Sequence, residues 1–506
     1  MDIDMDVYHG ELRRRNRLAE EGRAARVRGG VFDGEAGLPP VTTLMAGKDV
    51  LVTGASGFLG RVLLEKLLRS CPGVRTVFLL LRPKRGVAPA QRVRDIVDVR
   101  LFDQLLVEQP SALDKLVAVA GDCAQPGLGL AAEDRDRLQR TVAFVYHGAA
   151  SVRFDDPVEK AVLLNTRGTW ELAELCAGMA RLEALVHIST AYTNINQDVV
   201  EERLYPTHLD WRLVVRAVSD PETARVMNTL GHKLLGFHPN TYTFSKALGE
   251  QVMAEAARHL PVIIVRPAVV IGAAKEPFPG WLDTVNSPAA LWAAINKGVI
   301  RVSRLASSHT TADYMPVDIV AKGTIVAGYV RATNHGRDQD DGAVPVVNMA
   351  ITDVHPVPGW MLEEIFNKSC RRAVPYCSAI RYPMFFTDVS GPLYILLDFF
   401  FHILFGFATD LALRIGGQKP RLLKVYRKLA VATSALAVFL DLKIGFKTTN
   451  FWELQKLIHP SDVKDFDFDL DSLDPRKDGK NQLMGILEYA FNERFDREKG
   501  IRHIDR

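Results

Sequence analysis

The chain has 506 residues, a length that predicts two domains rather than one. Apolar residues make up 47% and charged residues 24%, an ordinary globular balance, and a net charge of +3 gives no reason to expect a nucleic-acid partner. The five cysteines include no CxxC pair, which argues against a disulfide framework or a zinc site and favours a reducing compartment.

The N-terminal segment contains no apolar core, so it lacks the pattern of a secretory signal. Acidic residues lie among its arginines and argue against an organelle transit peptide. We interpret residues 1–45 as a mobile leader. A change of sequence texture near residue 355 then divides the rest into a nucleotide-binding domain over 46–355 and a mostly helical domain over 356–506.

The stretch "KDVLVTGASGFLGRVLLEKLLRSCP" predicts a strand, a glycine-rich turn and a helix. In its T-G-x-x-G-x-x-G pattern, Gly54 would allow the tight turn, Gly57 would let the backbone approach a pyrophosphate, and Gly60 would let the helix pack closely. The start of the helix would offer free N–H groups to phosphate. The alternative is a turn without a ligand. The predicted cofactor-binding residues of this motif are Thr53, Gly54, Ser56, Gly57, Phe58, Leu59 and Gly60.

The second predicted strand ends in "LLLRPKRG", where enzymes that use NAD usually place an acid for the ribose hydroxyls. This chain has Arg82, Lys84 and Arg85 instead. Cations without an acid suit a 2′-phosphate, so the sequence favours NADPH as the cofactor. The alternative is a solvated basic loop.

Four more buried strands are predicted in "DKLVAVAGD", "TVAFVYHGAA", "EALVHISTAY" and "PVIIVRPAVVIG", with helical patterns between most of them. Apolar strands that alternate with helices indicate a parallel sheet covered on both faces, a Rossmann-like doubly wound α/β fold. Asp122 ends the third strand and could accept a hydrogen bond from the adenine amine. The fourth strand is followed by small residues, among them Ala149, where the backbone must approach the cofactor.

Tyr242 and Lys246 lie four residues apart in "NTYTFSKALGE", so on a helix they project from the same face. A phenol with a pKa near 10 is a poor acid–base group at neutral pH, and a nearby ammonium would lower that pKa. Thr190, at the carboxyl end of the fifth strand, could hold a substrate carbonyl beside Tyr242. These three residues are the predicted catalytic set. The scattered histidines show no metal-ligand spacing, so no metal is assigned.

Residues 391–415 form a strongly apolar stretch that is interrupted by Asp398, His402 and Asp410. Three interpretations stay open: a buried helix pair, a helix that lies on or re-enters a membrane, and a true span. The following run, "RIGGQKPRLLKVYRK", holds six cations and no acid. It could meet anionic headgroups or CoA phosphates, or form a solvated helix face. We expect association with a membrane surface through residues 391–428.

The glycine motif, Ser189-Thr190 and Tyr242-x-x-x-Lys246 resemble the extended short-chain dehydrogenase/reductase superfamily. Within it, the chain resembles the alcohol-forming fatty acyl-CoA reductases. The stretches "HGAASVRFDDPVEKAVLLNTRGT", "VIIVRPAVVIGAAKEPFPGWLDTVNSP", "ADYMPVDIV" and "LDLKIGFKTTN" carry the resemblance, which covers roughly residues 46–500.

This resemblance implies that NADPH reduces a long-chain acyl-CoA to an aldehyde with loss of CoA, and then reduces the aldehyde to a primary alcohol. It implies Thr190 as the catalytic hydroxyl, with Ser189 as the alternative. It also places Asn165, Pro267 and Val269 beside the active site and cofactor. Ser245 is a departure, because the family more often has threonine there.

Alternative functions are an acyl-CoA reductase that stops at the aldehyde and another extended reductase with a sterol or sugar substrate. A membrane-associated scaffold that binds NADPH without catalysis is a third, disfavoured because Tyr242, Lys246 and Thr190 are all present. The expected location is the cytosol-facing surface of an internal membrane, either endoplasmic reticulum or peroxisome.

Overall fold

The computed structural model describes residues 38–82, 86–284, 287–303, 311–333, 344–351, 357–358, 361, 364–365, 372–386, 389, 391–440, 444–468 and 470–505. Most of the predicted leader, residues 1–37, lies outside this part of the chain. Lys84 and Arg85 of the predicted 2′-phosphate site also lie outside it.

The strands of the central sheet are short apolar runs rich in valine, leucine and isoleucine, as β-propensity favours. In chain order, the strands of the central sheet and of three smaller sheets among the described residues are β1 (Asp49–Thr53), β2 (Thr76–Leu81), β3 (Leu116–Ala120), β4 (Val142–His147), β5 (Ala184–Ile188), β6 (Val199–Val200), β7 (Val262–Pro267), β8 (Val269–Ile271), β9 (Thr311–Ala312), β10 (Tyr314–Pro316), β11 (Val346–Met349), β12 (Val357–Pro358) and β13 (Gly445–Phe446).

Helices separate most of the strands. The α-helices are α1 (Val41–Met45), α2 (Phe58–Ser70), α3 (Pro89–Val97), α4 (Asp103–Glu108), α5 (Ala132–Thr141), α6 (Val158–Val162), α7 (Gly168–Ala177), α8 (Trp211–Ser219), α9 (Pro221–Leu230), α10 (Thr241–Ala256), α11 (Ser287–Asn296), α12 (Val317–Thr333), α13 (Gly391–Ile415), α14 (Leu422–Leu440), α15 (Thr449–Lys456), α16 (Val463–Phe466), α17 (Pro475–Gly485) and α18 (Arg497–Ile504). A π-helical turn, Leu163–Arg167, joins α6 to α7, and a second, Phe399–Leu404, lies within α13.

Seven strands form one parallel sheet in the order β11-β7-β5-β4-β1-β2-β3. The order reverses between β1 and β4, whose last residues, Thr53 and His147, are register partners. In doubly wound sheets the ligand crevice lies outside the carboxyl ends of the strands at such a reversal. The predicted Rossmann-like fold with a helical C-terminal region is confirmed.

The seventh strand, β11, lies at the edge of the sheet and is not among the six strands predicted from sequence. The predicted sixth strand, "PVIIVRPAVVIG", is divided in the structure. Its first half is β7, and after Ala268 its second half becomes β8, which pairs with β10 in a separate two-stranded sheet. An apolar run alone does not reveal where a chain leaves one sheet for another.

The chain divides into two compact units whose segments alternate along the sequence. Unit 1 comprises residues 1–268, 317–353 and 444–469, and unit 2 comprises residues 269–316, 354–443 and 470–506. The central sheet lies wholly in unit 1. The sequence-based division at residue 355 stays a prediction.

Unit 1 includes residues that the leader prediction covers. Helix α1 packs into this unit, with Val41 and Met45 fully buried. The backbone N–H of Val41 donates to the Asp462 carboxylate, which belongs to the last segment of the same unit.

Unit 2 contains α11, α13, α14, α17 and α18. Gln482 of α17 exchanges two hydrogen bonds with the backbone of Gly272, each 2.8 Å long. The Tyr376 hydroxyl donates to the Leu483 carbonyl at 2.7 Å. These buried contacts join segments of unit 2 that are some 100 to 200 residues apart in the sequence.

Candidate active site

The glycine turn between β1 and α2 has the geometry of a phosphate-binding loop. Gly54 has φ +79°, and a Cβ there would lie 2.6 Å from the Gly148 carbonyl carbon. A Cβ on Gly60 would lie 2.2 Å from the Gly54 carbonyl oxygen. Both positions therefore require glycine, whereas Gly57 is exposed where α2 begins, and the start of a helix attracts anions.

The other motif residues have distinct surroundings. Ser56 is exposed beside the turn, and Phe58 and Leu59 are partly buried in the first turn of α2. Thr53 is buried, and its hydroxyl accepts from the Ala149 N–H at 3.1 Å and lies 2.8 Å from Nδ1 of His147. The Thr53 hydroxyl thus holds the loop after β4 against the end of β1 through buried hydrogen bonds.

His147 connects this loop to the helix that follows β4. Its Nε2 lies 3.0 Å from the Thr169 hydroxyl, which in turn donates to the Asn165 carbonyl at 2.7 Å. Because that hydroxyl uses its proton on Asn165, His147 must donate from Nε2 and accept from Thr53 at Nδ1. Burial, followed by the charge of Lys246, lowers the pKa of His147 to about 3, so the imidazole is neutral.

A cation that the sequence analysis missed lies beside Arg82. Arg82 is exposed at the end of β2, and the guanidinium of Arg92 on α3 donates to its carbonyl. Burial and then repulsion from Arg82 lower the pKa of Arg92, so the two positive charges are close. Arg92 could have been predicted from the sequence, because it lies in the first turns of the helix that follows the basic loop.

Asp122 follows β3 and is half-buried. Its carboxylate accepts from the Ala124 N–H at 3.0 Å, so it stabilises its own turn at the carboxyl edge of the sheet. This hydrogen bond uses Oδ1 of the carboxylate and not Oδ2, which is compatible with the predicted role of Asp122 as an acceptor for the adenine amine.

The predicted catalytic side chains meet at the carboxyl ends of β5 and β7. Asn240 caps α10 by accepting from the Thr243 N–H at 3.0 Å, which fixes the start of the helix that carries Tyr242 and Lys246. Tyr242 lies beside Thr190 and is partly exposed. Thr190 and Lys246 are only 5% and 3% exposed.

Backbone acceptors hold the two buried members of this set. The Thr190 hydroxyl lies 3.5 Å from the Pro267 carbonyl, and Lys246 Nζ donates to the Ile188 carbonyl at 2.6 Å. Pro267, at the end of β7, therefore contributes an acceptor to the site. Val269 begins β8 in unit 2, where it pairs with Tyr314.

Protonation differs from the sequence-based expectation. Burial raises the pKa of Tyr242 to about 12, although the neighbouring Thr190 opposes this. The expected lowering of the Tyr242 pKa by Lys246 is not found; burial dominates the shift, and Lys246 donates to the Ile188 carbonyl. Burial also lowers the pKa of Lys246 to about 8, against the favourable charge of Glu250. Tyr242 is thus a neutral phenol at neutral pH, the form that can donate a proton.

Asn165 lies in the π-helical turn and is almost fully buried. Its amide accepts from the Ser151 N–H at 2.8 Å and donates to the Ser151 carbonyl at 3.0 Å and the Ser245 hydroxyl at 2.9 Å. The Ser245 hydroxyl donates to the Tyr242 carbonyl at 3.1 Å. Asn165 therefore links the loop after β4 to α10. The serine hydroxyl at position 245 is enough to make this link, although the family more often has threonine there.

The two hydroxyls at the end of β5 have different partners. The Ser189 hydroxyl donates to Glu250 at 2.6 Å, whereas Thr190 lies beside Tyr242. This contrast favours Thr190 over Ser189 as the catalytic hydroxyl. The sequence analysis missed Glu250 and its buried partner Arg266; a charged residue one turn after Lys246 and another inside an apolar strand were the available signals.

Unit 2 exposes the apolar face of α13. Many large side chains on this helix are exposed: Leu393, Ile395, Leu396, Phe399, Phe400, Ile403, Leu404, Phe407, Leu411 and Ile415. The interpretation as a buried helix pair does not fit this exposure. Among the described residues, α13 is the helix long and apolar enough to cross a membrane.

Asp398, His402 and Asp410 of α13 are hydrogen-bonded within the protein. Asp398 accepts from His402 Nδ1 at 2.7 Å, and His402 Nε2 accepts from the Arg301 N–H at 3.1 Å. The Asp410 carboxylate accepts from the N–H groups at the start of α14, at 2.8 to 3.0 Å. The three residues that interrupt the apolar stretch are therefore satisfied within unit 2.

Two family models match the chain. One is a nucleotide-binding model described as "Male sterility protein" and matches residues 52–324, and the other, with the same description, is named Sterile and matches residues 401–493. The fold is shared with the terminal R domain of the myxalamid PKS-NRPS pathway (TM-score 0.57, 20% identity, 94% and 100% of the two chains covered). It is also shared with the reductase domain of a nonribosomal peptide synthetase from Mycobacterium tuberculosis (TM-score 0.54, 18% identity, 92% and 95% covered).

The curated relatives are much closer in sequence. Fatty acyl-CoA reductase 1 of Xenopus laevis is 36% identical over 447 residues, which cover 88% of this chain and 85% of the relative. The human protein of the same name is 35% identical over the same length, and fatty acyl-CoA reductase 2 of Mus musculus is 32% identical over 453 residues, with 90% and 86% covered. The chain is therefore an oxidoreductase with a nicotinamide-cofactor domain, and it belongs to the fatty acyl-CoA reductase family.

Proposed function

We propose that this chain uses NADPH to reduce long-chain fatty acyl-CoA to a primary fatty alcohol, releasing CoA and passing through an aldehyde. The observation that carries the proposal is the placement of Tyr242 beside Thr190, on the helix whose buried Lys246 donates to the Ile188 carbonyl at the end of β5. The names of the curated relatives give the substrate class.

Each side chain has a role in this scheme. The Thr190 hydroxyl and the Tyr242 phenol donate to the substrate carbonyl oxygen, which becomes negatively charged as the carbonyl carbon is reduced. Tyr242 then gives its proton to that oxygen when the aldehyde becomes an alcohol. Lys246 supplies positive charge and holds the nicotinamide ribose. The same set serves both reductions, because each develops charge on a carbonyl oxygen.

The residues of the glycine turn fit a dinucleotide. No room exists for a Cβ at Gly54 or Gly60, and Gly57 leaves the start of α2 accessible to a pyrophosphate. Adjacent cations Arg82 and Arg92, with no acid at the end of β2, favour a 2′-phosphate and hence NADPH over NADH. When bound, NADPH supplies the hydride.

The decisive experiment is the ratio of NADPH consumed to CoA released by the purified full-length chain with a saturated long-chain acyl-CoA. A ratio of about two, with alcohol as the product, is expected because two hydrides are needed to reduce a thioester to an alcohol. A ratio of about one with accumulating aldehyde would replace the alcohol by the aldehyde as the product. No oxidation of NADPH with any acyl-CoA would reject the proposal and return the sterol and sugar substrates to consideration.

We also propose that unit 2 binds a membrane surface through residues 391–428. Helix α13 is apolar on its exposed face and packed against protein on its polar face, which suits a helix lying in the interfacial region. Exposed cations lie at its end and beyond it and could meet anionic headgroups: Arg414, Lys419, Arg421, Lys424, Arg427 and Lys428. Together with the lipid substrate, this favours the cytosol-facing surface of endoplasmic reticulum or peroxisome.

A further inference from the structure

A buried carboxylate lies one helical turn beyond Lys246. Glu250 of α10 is 2% exposed, and its Oε1 accepts from the Ser189 hydroxyl at 2.6 Å and from Arg266 Nε at 2.8 Å. Its Oε2 accepts from Arg266 Nη2 at 2.7 Å. Tyr242, Lys246 and Glu250 therefore form a ladder at intervals of four residues along one face of α10.

Both partners of Glu250 adjoin the active site. Ser189 precedes Thr190 at the end of β5, and Arg266 precedes Pro267, whose carbonyl lies 3.5 Å from the Thr190 hydroxyl. The Arg266 guanidinium, which is fully buried, also reaches the Glu201 and Arg203 carbonyls at 3.3 and 3.0 Å. Glu250 thus joins α10 to the two strand ends that present Thr190 to Tyr242.

The charges around Lys246 explain why this carboxylate matters for protonation. The charge of Lys246 acts on His187 of β5 and His147 of β4, and burial holds their pKa values far below neutrality, so both rings are uncharged. Tyr242 is a neutral phenol on the same helix face. Glu250 is the group that favours the ammonium form against the cost of burial.

The remaining charges on neighbouring elements have partners of their own. Asp156, whose backbone carbonyl accepts from Thr241 at the start of α10, is paired with Lys160 at 2.7 Å. The π-helical turn presents the uncharged amide of Asn165. Arg266 is oriented toward Glu250 by two hydrogen bonds.

We propose that Glu250 is a positioning residue of the active site, which keeps Lys246 protonated and, through Ser189 and Arg266, fixes Thr190 opposite Tyr242. This inference rests on the proposed function of Tyr242, Thr190 and Lys246. It gives the buried ion pair between Glu250 and Arg266 a role in the reaction, in addition to joining α10 to β7.

The direction of the pH effect follows from the sign of the charge. Lys246 acts as an ammonium, so the rate should fall as pH rises through its pKa, near 8 in the native chain. Removal of the negative charge at position 250 lowers that pKa. The alkaline limb of the pH–rate profile should therefore move to lower pH, by about one to two units for an opposite charge at close range.

The test uses Glu250→Gln in the full-length chain, because glutamine keeps the length of the side chain and one acceptor oxygen. We expect the loss of kcat/KM relative to the native chain to be at least about tenfold greater at pH 9 than at pH 6. Glu250→Asp keeps the charge and should leave the alkaline limb in place. Ser189→Ala removes a hydrogen bond without a charge and should lower the rate by the same factor at every pH.

A Glu250→Gln profile with an unmoved alkaline limb would overturn the proposal, whatever its overall rate. A second measurement does not depend on turnover: the pH titration of Lys246 by ¹³C NMR in protein labelled with [6-¹³C]lysine, assigned with Lys246→Met. Lys246 should titrate at lower pH in Glu250→Gln, and equal titration in both chains would reject the inference. If the native chain reduces no acyl-CoA, the proposed function fails, yet this titration still decides the role of Glu250.

If Glu250→Gln does not fold, Glu250→Gln combined with Arg266→Met removes both charges of the pair. Lys246 should still titrate at lower pH than in the native chain, but by less than in the single variant, because the lost Arg266 charge acts in the opposite direction. Circular dichroism and thermal melting establish which variants are folded. A folded double variant whose Lys246 titrates as in the native chain would count against the proposal.

Discussion

At the scale of single residues, burial sets the chemistry of the active site. It raises the pKa of Tyr242 and lowers that of Lys246, so the phenol keeps its proton while the ammonium is less strongly favoured. A neutral phenol is suited to reduction, in which it donates a proton. The Thr190 hydroxyl lies beside it, whereas the neighbouring Ser189 hydroxyl is used by Glu250.

Replacement of Tyr242 by phenylalanine should remove the proton donor and leave the surrounding packing intact. We expect kcat to fall by about 10²–10⁴-fold, the usual contribution of a general acid, with little change in NADPH affinity. Stopped-flow turnover and NADPH fluorescence titration measure the two quantities. A variant that keeps most of its rate would remove Tyr242 from the mechanism.

The cations beside β2 give a second prediction at this scale. Arg82→Ala combined with Arg92→Ala should weaken NADPH binding by about tenfold or more and leave NADH binding nearly unchanged, since only NADPH carries the 2′-phosphate. Arg94→Ala, an exposed cation on the same helix, is the matched control. Equal losses for both cofactors, measured by titration, would refute the 2′-phosphate assignment.

At the scale of elements, the glycine turn depends on close contact between backbones. A Cβ on Gly60 would meet the Gly54 carbonyl oxygen at 2.2 Å, whereas on Gly57 its nearest neighbour would be that same oxygen at 3.3 Å. The contact of 2.2 Å at Gly60 would require the backbone to shift, because a backbone carbonyl cannot rotate away as a side chain can. The fit of α2 against the turn therefore depends on Gly60.

Gly60→Ala should destabilise the chain by about 1–3 kcal/mol, the usual cost of overpacking, and should weaken NADPH binding. Gly57→Ala should cost much less stability, since its φ of −85° suits alanine and its Cβ contact is longer. Thermal unfolding compares the two variants. Equal melting temperatures would show that α2 can move away from the turn at little cost.

The apolar face of α13 supplies another prediction at this scale. Serine in place of Phe399, Phe400 and Phe407 should reduce binding to vesicles by about tenfold or more, because each exposed phenylalanine would bury apolar area in lipid. The control replaces Leu213 and Val226, which are equally exposed on helices of unit 1. Flotation with phosphatidylcholine vesicles, with and without phosphatidylserine, measures binding. A native chain that stays with the aqueous fraction would contradict membrane association.

At the scale of the whole molecule, unit 1 depends on a segment far along the chain. In residues 444–469, β13 pairs with β6, and Phe451, Leu454 and Phe466 are fully buried. The Glu202 carboxylate accepts from the Asn450 N–H at 2.6 Å and from the Asn348 N–H at 3.0 Å. The nucleotide-binding unit is therefore completed by residues that the sequence analysis assigned to the C-terminal domain.

A chain that ends at residue 355 tests the predicted domain boundary. We expect it to aggregate or to lack a cooperative thermal transition, because it loses the buried side chains of α15 and the acceptor that Asp462 provides for Val41. The full-length chain is the control. A soluble truncated chain that unfolds cooperatively and binds NADPH would support the division at 355.

The sequence by itself determined the fold class and predicted most of the candidate site. Three glycines at intervals of three residues, the apolar strands and the Tyr242–Lys246 pair are local patterns, and a sequence displays local patterns directly. Six of the seven strands of the central sheet could be recognised in this way. The family resemblance added Asn165, which donates to the Ser245 hydroxyl, and Pro267, whose carbonyl lies 3.5 Å from the Thr190 hydroxyl.

Only the tertiary structure decided the features that depend on distant residues. Arg92 approaches Arg82, Glu250 pairs with Arg266, and the polar residues of α13 turn inward to acceptors and donors elsewhere in unit 2. The protonation of Tyr242 also follows from burial, which no single stretch reveals. Contacts and burial arise from packing among segments far apart in the chain, and for this reason their signs and partners could not be derived from spacing alone.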